Sequence, residues 1–339
     1  RKLTLMYEAR STTGAITNIE ARVGARSARV LQHIPNYRDH RRAVIGQITV
    51  EIPAADTVIE LLAHNQNGPS ESARYRVNWS GTADFFKPDL YVLAVGVSDY
   101  AADENNLKYA AKDARDFVRA IRRQEGEIYK RVQIKMLDDR QATREAILDG
   151  LDWIERETTS RDVAVVYLAG HSVNDQGHYR FLPADYELEK LKRTTVTGAE
   201  LKEFLQGVAG KTVLFFDTCY SGNALGIRAG SKPDVDRVAN ELADADVGVI
   251  VFASTTQGGL ARGLDDIQQG AFTEALIEGI EAGKADLTKD FLVSVAELEK
   301  YISDRVKELT KGAQKPVTTK PKVVEDWNFI RVPDQDVHQ

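Results

Sequence analysis

The sequence contains a single cysteine among 339 residues, and this scarcity excludes an internal disulfide. The fold must therefore be held together by its core, and because one thiol suits a reducing compartment, we expect a cytoplasmic protein. Long apolar runs are also missing, since none approaches the roughly 18 residues of a membrane-spanning helix. With a net charge of −6, the chain shows no excess of basic residues, which argues against a general nucleic-acid binder.

Several motifs are absent as well. The chain has no G-x-S-x-G elbow, which argues against an α/β-hydrolase, and no glycine fingerprint opens a helix, which argues against Rossmann and P-loop enzymes. The acids in "DVDRVANELADAD" do not match a calcium-binding loop. We therefore predict no metal site and no cofactor, and leave calcium dependence open. Because the sequence begins with arginine rather than methionine, we expect a truncated N-terminus.

Residues 1–85 are predicted to be rich in β-strands. The segments "AITNIEARV", "AVIGQITVEIP", "DTVIELLAHNQNG" and "SARYRVNWS" carry β-branched and aromatic residues with partial alternation, and turn residues separate them. This favours a small β-sandwich domain, for which an immunoglobulin-like arrangement is one candidate. The segment "GTADFFKPD" is typical of a linker that ends near a proline, and residues 86–90 are predicted to link this domain to a second domain at 91–334.

The pattern changes from residue 89 onward. Apolar runs such as "LYVLAVG", "DVAVVYLAG", "KTVLFFD" and "VGVIVFAS" alternate with helical segments such as "NLKYAAKDARDFVRAIRRQEG" and "GAFTEALIEGIEAG". Continuous apolar strands separated by helices indicate an α/β fold, with a mostly parallel sheet flanked by helices on both faces. Polar residues follow three of these strands, and in such sheets the carboxyl ends of the strands form the binding edge. They are His171, the run from Asp217 to Cys219, and the run from Ser254 to Thr256.

The segments "YLAGHS" and "LFFDTCYSG" resemble the histidine and cysteine motifs of caspase-like cysteine peptidases of clan CD. The form D-x-C-x-S-G is most similar to metacaspases and their prokaryotic relatives, the orthocaspases. The opening "YVLAVGVSDY" and the helix "LKYAAKDARDF" are similar to the first strand and helix of that family. The resemblance implies a bacterial thiol protease with the caspase fold, which hydrolyses peptide bonds through an acyl-enzyme.

The resemblance also implies roles for the two motif residues. Cys219 would attack the peptide carbonyl as a thiolate, and His171 would accept the thiol proton and then protonate the leaving amine. The oxyanion would be bound by the backbone N–H groups of Cys219 and Ser172, although the family usually has glycine at the latter position. The alternatives are an inert core thiol at Cys219, a structural histidine at 171, and His178 as a rival base.

In metacaspases an aspartate two residues before the nucleophile lines the primary specificity pocket, and Asp217 matches it. A second pocket acid would be Asp113, where Lys112 replaces the family's asparagine and could partly neutralise the acid. Two carboxylates favour Arg or Lys in the substrate through charge-assisted hydrogen bonds. Ser254, Thr255 and Thr256 would contact the substrate from another wall. The alternatives are that Asp217 caps the end of a strand, that Asp113 is an ordinary acid in the first turn of a helix, and that the segment beginning at Ser254 is a simple loop.

The weakly patterned segment 227–247 is predicted to be a surface loop in which the enzyme, made as a zymogen, could cut itself after Arg228, Lys232 or Arg237. The expected partners are protein or peptide substrates with Arg or Lys before the scissile bond, and a regulator acting through the N-terminal β-domain. Nucleic acid and membrane partners are not expected. The alternatives are a catalytically weak caspase-like scaffold and a transpeptidase.

Overall fold

The computed structural model of this chain describes residues 2–24, 26–53, 57–77, 87–101, 105–175, 178–220, 239–240, 248–254, 263–264, 268–321 and 324–332. For Cys219, Tyr220 and residues 263–264 it describes the strand backbone.

The N-terminal region is built from strands. They are β1 (Lys2–Arg10), β2 (Asn18–Val23), β3 (Arg26–Ser27), β4 (Val30–Arg38), β5 (Ala43–Glu51), β6 (Thr57–Asn65), β7 (Gly68–Pro69) and β8 (Ala73–Val77). One antiparallel sheet has the order β1-β5-β4, and the other has the order β3-β2-β6-β7 with β8 also paired to β6.

The two N-terminal sheets share one apolar core. Ile48 and Val50 from β5 pack with Ala21 from β2 and Ile59 from β6 in a single buried cluster. The strand-rich character predicted for this region is confirmed, but β1 and β4 were not among the predicted strands. Both are edge strands with many exposed side chains, and β4 contains Pro35, which is tolerated at an edge because an edge strand has unpaired backbone groups.

The rest of the chain forms an eight-stranded sheet with smaller strand pairs beside it. Its members are β9 (Leu90–Gly96), β10 (Val132–Asp138), β11 (Val163–Asp175), β12 (His178–Phe181), β13 (Val196–Thr197), β14 (Lys211–Tyr220), β15 (Val249–Ala253) and β19 (Val317–Thr319). The pairs are β16 (Gly263–Leu264) with β17 (Gln269–Gly270), and β18 (Leu292–Ser294) with β20 (Asn328–Arg331).

The large sheet is mixed rather than purely parallel. The order is β10-β9-β11-β14-β15-β19, in which the first five strands are parallel. The strand β19 is antiparallel to β15, and β12 forms an antiparallel hairpin with the end of β11 and also pairs with β13. The prediction of a parallel centre is confirmed, and β12 is antiparallel because a short hairpin joins it to β11.

Helices cover both faces of this sheet. They are α1 (Ala110–Arg122), α2 (Arg144–Glu157), the one-turn α3 (Leu191–Thr194), α4 (Gly198–Gly207), α5 (Ala271–Glu281) and α6 (Val295–Leu309), with single 3₁₀ turns at 139–141 and 188–190. Along β9, Val92 and Ala94 pack in the cluster with α1, α5 and α6, whereas Leu93 and Val95 pack with α2 and α4. The central strands β9, β11 and β15 therefore bury both of their faces, as their continuous apolar runs predict.

The starts of two helices are fixed by local sequence. Thr197 and Glu200 form a reciprocal capping box at α4, and Ser294 and Glu297 form another at α6. In the part of the chain that the structure describes, no helix has the length and apolar character needed to cross a membrane.

Candidate active site

Two neighbouring parallel strands carry the predicted catalytic pair. In the register of β11 and β14, Ala169 lies opposite Asp217 and His171 lies opposite Cys219. The backbones of the two motif residues are thus direct partners across adjacent strands, about 4.8 Å apart in sheets of ordinary spacing. Both strands carry apolar residues on both faces up to this level, so the polar motif residues follow the buried parts of the two strands at the same edge.

His171 is fixed by two residues from the segment that follows β9. Its backbone N–H donates to the Tyr100 hydroxyl at 2.9 Å, and the two rings lie 5.0 Å apart, tilted by 30°. Its ring nitrogen Nε2 lies 2.7 Å from the backbone oxygen of Asn105. Because a carbonyl oxygen can only accept, Nε2 carries the proton in this contact, so Nδ1 is the nitrogen that can act as a base.

The imidazole of His171 is buried, with 4% of the residue exposed. Burial lowers the pKa of His171 below its ordinary value of 6.5, and the hydrogen bond to Asn105 opposes this shift without reversing it. The ring is therefore neutral at pH 7, which is the state needed to accept a proton. His178, the alternative base, is exposed at the start of β12 and pairs with Asp175 in the hairpin.

The strand β11 does not end at His171, as the sequence predicted, but continues to Asp175 and turns back as a hairpin. Ser172 therefore lies in extended backbone, where its fully buried side chain fits and no left-handed conformation is required. Glycine is instead required one residue before the histidine. A Cβ at Gly170, whose φ is +154°, would lie 3.0 Å from the Tyr100 hydroxyl and 3.2 Å from the Phe181 ring.

The two predicted pocket acids come together. The backbone N–H of Gly270 donates to both carboxylate oxygens of Asp113, at 3.2 and 3.1 Å. A Cβ placed on Gly270 would lie 2.8 Å from Asp113 Oδ2 and 3.2 Å from Asp217 Oδ2. One small region beside Gly270 is therefore flanked by a carboxylate from α1 and a carboxylate from β14.

A chain of hydroxyl groups holds the second acid. The Thr273 hydroxyl donates to Asp217 Oδ2 at 2.6 Å, and the Tyr167 hydroxyl lies 2.6 Å from Thr273 Oγ1. When Asp217 is ionised, the Thr273 proton points to the carboxylate, and Tyr167 then donates to Thr273. Both hydroxyl residues are fully buried, so this network fixes the orientation of Asp217 from the core side.

The acids carry raised pKa values. Burial, and then repulsion from Asp217, raise the pKa of Asp113 to about 8. Burial also raises the pKa of Asp217, although the hydrogen bond from Thr273 opposes the rise. Because neither acid forms an ion pair within the described residues, the pair retains a proton near neutral pH unless a cation comes close.

Lys112 forms its ion pair with another acid, and its charge lowers the pKa of Asp113 only in part. Its ammonium group donates to Asp116 Oδ2 at 2.6 Å, one helical turn further along α1. Asp116 also accepts from Arg119 and from the amide of Gln269 at 3.2 Å. The cation therefore pairs with a different carboxylate, and its more distant charge does not cancel the rise in the pKa of Asp113.

The remaining predicted residues are only partly described. Ser254 is buried just after β15, and its N–H donates to the Phe216 carbonyl at 2.8 Å. Thr255, Thr256, Arg228, Lys232 and Arg237 lie outside the described residues. Over the described parts of the chain, no group of three or more His, Cys, Asp or Glu side chains is arranged to hold a metal ion.

Four residues of this arrangement were not predicted from the sequence. Tyr100, Asn105, Gly270 and Thr273 all lie in segments whose local pattern is ordinary for a loop or a helix start. The one available signal was the position of Gly270 directly before an apolar helix that faces the strand ends. Asn105 acts through its backbone oxygen, which any residue would supply.

Comparison with known proteins gives a consistent result. The family model of the caspase domain matches residues 90–326. The crystal structure of protein GSU0716 from Geobacter sulfurreducens is similar with a TM-score of 0.51 at 19% identity, covering 73% of this chain and 100% of that one, which supports the fold alone. Protein YXIM_BACsu from Bacillus subtilis reaches a TM-score of 0.23 at 13% identity over 70% of this chain and 62% of that one, which is too low to carry an argument. None of the curated proteins matches this sequence.

Proposed function

Because the chain belongs to the caspase-domain family of cysteine peptidases, we propose that it hydrolyses peptide bonds after Arg or Lys with Cys219 as nucleophile and His171 as base. The observation that carries the choice of substrate is the meeting of Asp113 and Asp217 beside Gly270 without a cation of their own. A guanidinium or ammonium group brought there by a substrate would supply the missing charge.

The dyad is supported by the register and by the state of the histidine. His171 and Cys219 are direct backbone partners, and the Asn105 carbonyl selects the tautomer in which Nδ1 can accept a proton. In the proposed reaction the thiol proton passes to Nδ1, and sulfur forms a bond to the substrate carbonyl carbon. The same proton then goes to the leaving amine, and water hydrolyses the thioester.

Oxyanion binding by the backbone N–H groups of Ser172 and Cys219 is part of this proposal. Its main difficulty was the serine in place of glycine, and the extended conformation of Ser172 lessens that difficulty because no glycine geometry is needed. The reading as a catalytically weak scaffold is correspondingly weakened. A metacaspase or orthocaspase type, and zymogen activation by a cut within 227–247, are also proposed.

A set of fluorogenic peptides that differ in the residue before the scissile bond tests the assignment. We expect turnover with Arg or Lys, none with Asp, and a loss of at least about 1000-fold in kcat/KM for Cys219→Ala and His171→Ala. His178→Ala is the matched control and should retain activity, because His178 is exposed in the hairpin. Cleavage that survives Cys219→Ala, or a preference for acidic residues, would contradict the proposal.

Two further experiments test for transpeptidation and for self-cleavage. An added amine nucleophile reveals a transpeptidase through the ligated product, and its absence supports simple hydrolysis. Mass measurement of the chain before and after incubation tests self-cleavage after Arg228, Lys232 or Arg237. A chain that stays intact while fully active shows that cleavage in the loop is not required.

A further inference from the structure

Residues 182–186, which follow β12, pack against the groups that hold the histidine of the proposed dyad. This segment is anchored to the start of α2 at two points. The backbone N–H of Ala184 donates to the carbonyl of Ala142 at 2.9 Å, and the carboxylate of Asp185 accepts the backbone N–H of Arg144 at 2.8 Å. The two bonds give the segment a fixed position beside the dyad.

The segment first fixes the backbone of His171. The backbone N–H of Leu182 donates to the His171 carbonyl at 3.0 Å. The Tyr100 hydroxyl accepts the His171 N–H at 2.9 Å and donates to the Leu182 carbonyl at 3.4 Å. Both backbone groups of the histidine are therefore bonded within one closed ring of three residues. The orientation of the imidazole then depends on what holds its ring nitrogen.

That ring nitrogen is held by Asn105, and Asn105 is held by Tyr186. The side-chain amide of Asn105 donates to the Tyr186 hydroxyl at 3.1 Å, while its backbone oxygen lies 2.7 Å from His171 Nε2. One residue thus joins the tyrosine to the histidine, through its side chain on one side and its backbone on the other. A carbonyl oxygen orients an imidazole well only if its own residue is fixed, and the bond to Tyr186 supplies a fixed point.

Tyr186 also packs against the second support of the histidine. Its ring lies 5.7 Å from the ring of Tyr100 at an angle of 74°, which is an edge-to-face contact. The Tyr100 ring in turn lies 5.0 Å from the imidazole of His171. The same side chain therefore contacts Tyr100 through its ring and Asn105 through its hydroxyl.

Another tyrosine of this fold provides a structural comparison. Tyr129 packs in the cluster with α1, α5 and α6, where its buried hydroxyl donates to the carbonyl of Phe329 in β20 at 2.9 Å. That bond joins two parts of the core, whereas the bond of Tyr186 ends at a residue that contacts the imidazole. The two tyrosines form a matched pair that separates a structural contribution from a positioning one.

We propose that Tyr186 is a positioning residue, which orients the His171 imidazole through Asn105 and Tyr100. This inference rests on the proposed function, since the orientation matters for catalysis only if His171 accepts the proton of Cys219. Without the Tyr186 hydroxyl, Asn105 moves more freely and its carbonyl holds Nε2 less well. Nδ1 then points to the thiol for a smaller part of the time, so the loss falls on the chemical step.

Nuclear magnetic resonance tests the geometry without any need for activity. The full chain carrying Cys219→Ala is isotope-labelled at its histidine nitrogens, and the Nε2–H signal of His171 is identified by its absence in His171→Ala. A buried proton bonded to a carbonyl should exchange slowly with water. Tyr186→Phe keeps the ring but removes the hydroxyl, and should make this exchange at least about 5-fold faster. Asn105→Ala keeps the backbone oxygen and should have the same effect, and the double variant should be no worse than either single one.

Steady-state kinetics with an Arg peptide tests the consequence for catalysis. Tyr186→Phe should lower kcat about 5- to 10-fold and change KM less than about 2-fold. The hydrogen bond to Asn105 raises the pKa of His171, so its weakening should move the acid limb of kcat/KM to lower pH. Tyr129→Phe should lower Tm, because it leaves the Phe329 carbonyl without its donor, but should leave kcat, the acid limb and the imidazole signal unchanged.

The outcomes separate this inference from the proposed function. An unchanged imidazole signal in Tyr186→Phe, together with an unchanged kcat and acid limb, would overturn the role of Tyr186 and leave the dyad intact. Equal effects of Tyr186→Phe and Tyr129→Phe would also overturn it, because the contribution would then be structural. If the parent chain cleaves no peptide, the proposed function fails, and the imidazole signal alone decides whether Tyr186 holds the ring.

Discussion

Replacing Asp113 with asparagine tests whether the two pocket acids destabilise each other. Burial and then the charge of Asp217 raise the pKa of Asp113 from an ordinary value of 3.8 to about 8. The folded chain therefore keeps a proton that the unfolded chain releases above about pH 4. Folding becomes less favourable as the pH rises from about 4 through 8, because unfolding is then accompanied by proton release.

The size of the effect follows from the difference between the ordinary pKa of Asp113 and its raised pKa in the folded chain. One pKa unit corresponds to about 1.4 kcal/mol, so the whole interval would correspond to an upper limit of about 6 kcal/mol. Because the two acids share the repulsion and relaxation reduces it, we expect about 2–3 kcal/mol at pH 9. Asparagine keeps an oxygen that can accept the Gly270 N–H. Asp113→Asn should therefore have a Tm higher than the parent by about 4–10 °C at pH 9, and nearly equal to it at pH 5.

Asp116 is the matched control because it lies one turn away on the same helix. Burial raises its pKa, but hydrogen bonds from Lys112 and Arg119 outweigh burial and hold the pKa of Asp116 below its ordinary value. The ionised carboxylate of Asp116 stabilises the folded chain at any pH above the ordinary pKa of an aspartate, and this stabilisation is lost as the pH falls through the lowered pKa of Asp116. Asp116→Asn should therefore destabilise the chain at neutral pH. Both variants are measured by thermal and urea denaturation in a Cys219→Ala background. A difference between Asp113→Asn and its parent that is the same at pH 5 and pH 9 would refute the reasoning.

Three further outcomes are expected. Thr273→Val removes the hydroxyl that joins Tyr167 to Asp217, and should raise KM for Arg peptides more than it lowers kcat. It should also destabilise the chain by about 1–3 kcal/mol, and Thr273→Ser should restore both KM and stability. An unchanged KM would contradict this prediction. Tyr100→Phe removes the acceptor of the His171 N–H and should lower kcat roughly 10-fold with little change in KM, as measured by steady-state kinetics. The pH profile of kcat/KM for an Arg peptide should have its acid limb below pH 6.5, because the pKa of His171 is lowered, and should rise again toward pH 8 as the pocket acids ionise; the second rise should be absent in Asp113→Asn.

The central architecture could be predicted because its signals are local. Continuous apolar runs predicted β9, β11, β14 and β15, and helical spacing predicted the five long helices, with bounds within a few residues of those observed. The strand β4 was missed because this edge strand buries little and its side chains follow no clear alternation. The strand β1 does alternate, with exposed and half-buried positions in turn, so its sequence carried a strand signal that the prediction overlooked. The end of β11 was also misplaced, since Leu168 and Val173 pack on the same face although strict alternation would separate them.

The candidate site was predictable only where a side chain carried the signal. Cys219, His171 and Asp217 stand in motifs, and Asp113 was identified through the resemblance to a family. Asn105 holds the histidine through a backbone carbonyl, and Thr273 holds Asp217 across a separation of 56 residues, so neither contact leaves a pattern in the sequence. The fate of Lys112 was decided by Asp116, a competing acid at the favourable spacing of four residues.

Buried charges in this fold are held in two ways, by an opposite charge or by hydrogen bonds from neutral groups. Asp116 pairs with Lys112, whereas Asp162 and Asp286 accept hydrogen bonds from backbone N–H groups. Asp113 and Asp217 differ from these residues because two carboxylates meet at one edge of the large sheet, and neither forms an ion pair within the described residues. Such a pair reduces stability unless a ligand supplies the missing charge. This is the physical support for proposing a cationic substrate side chain at the edge that carries Cys219.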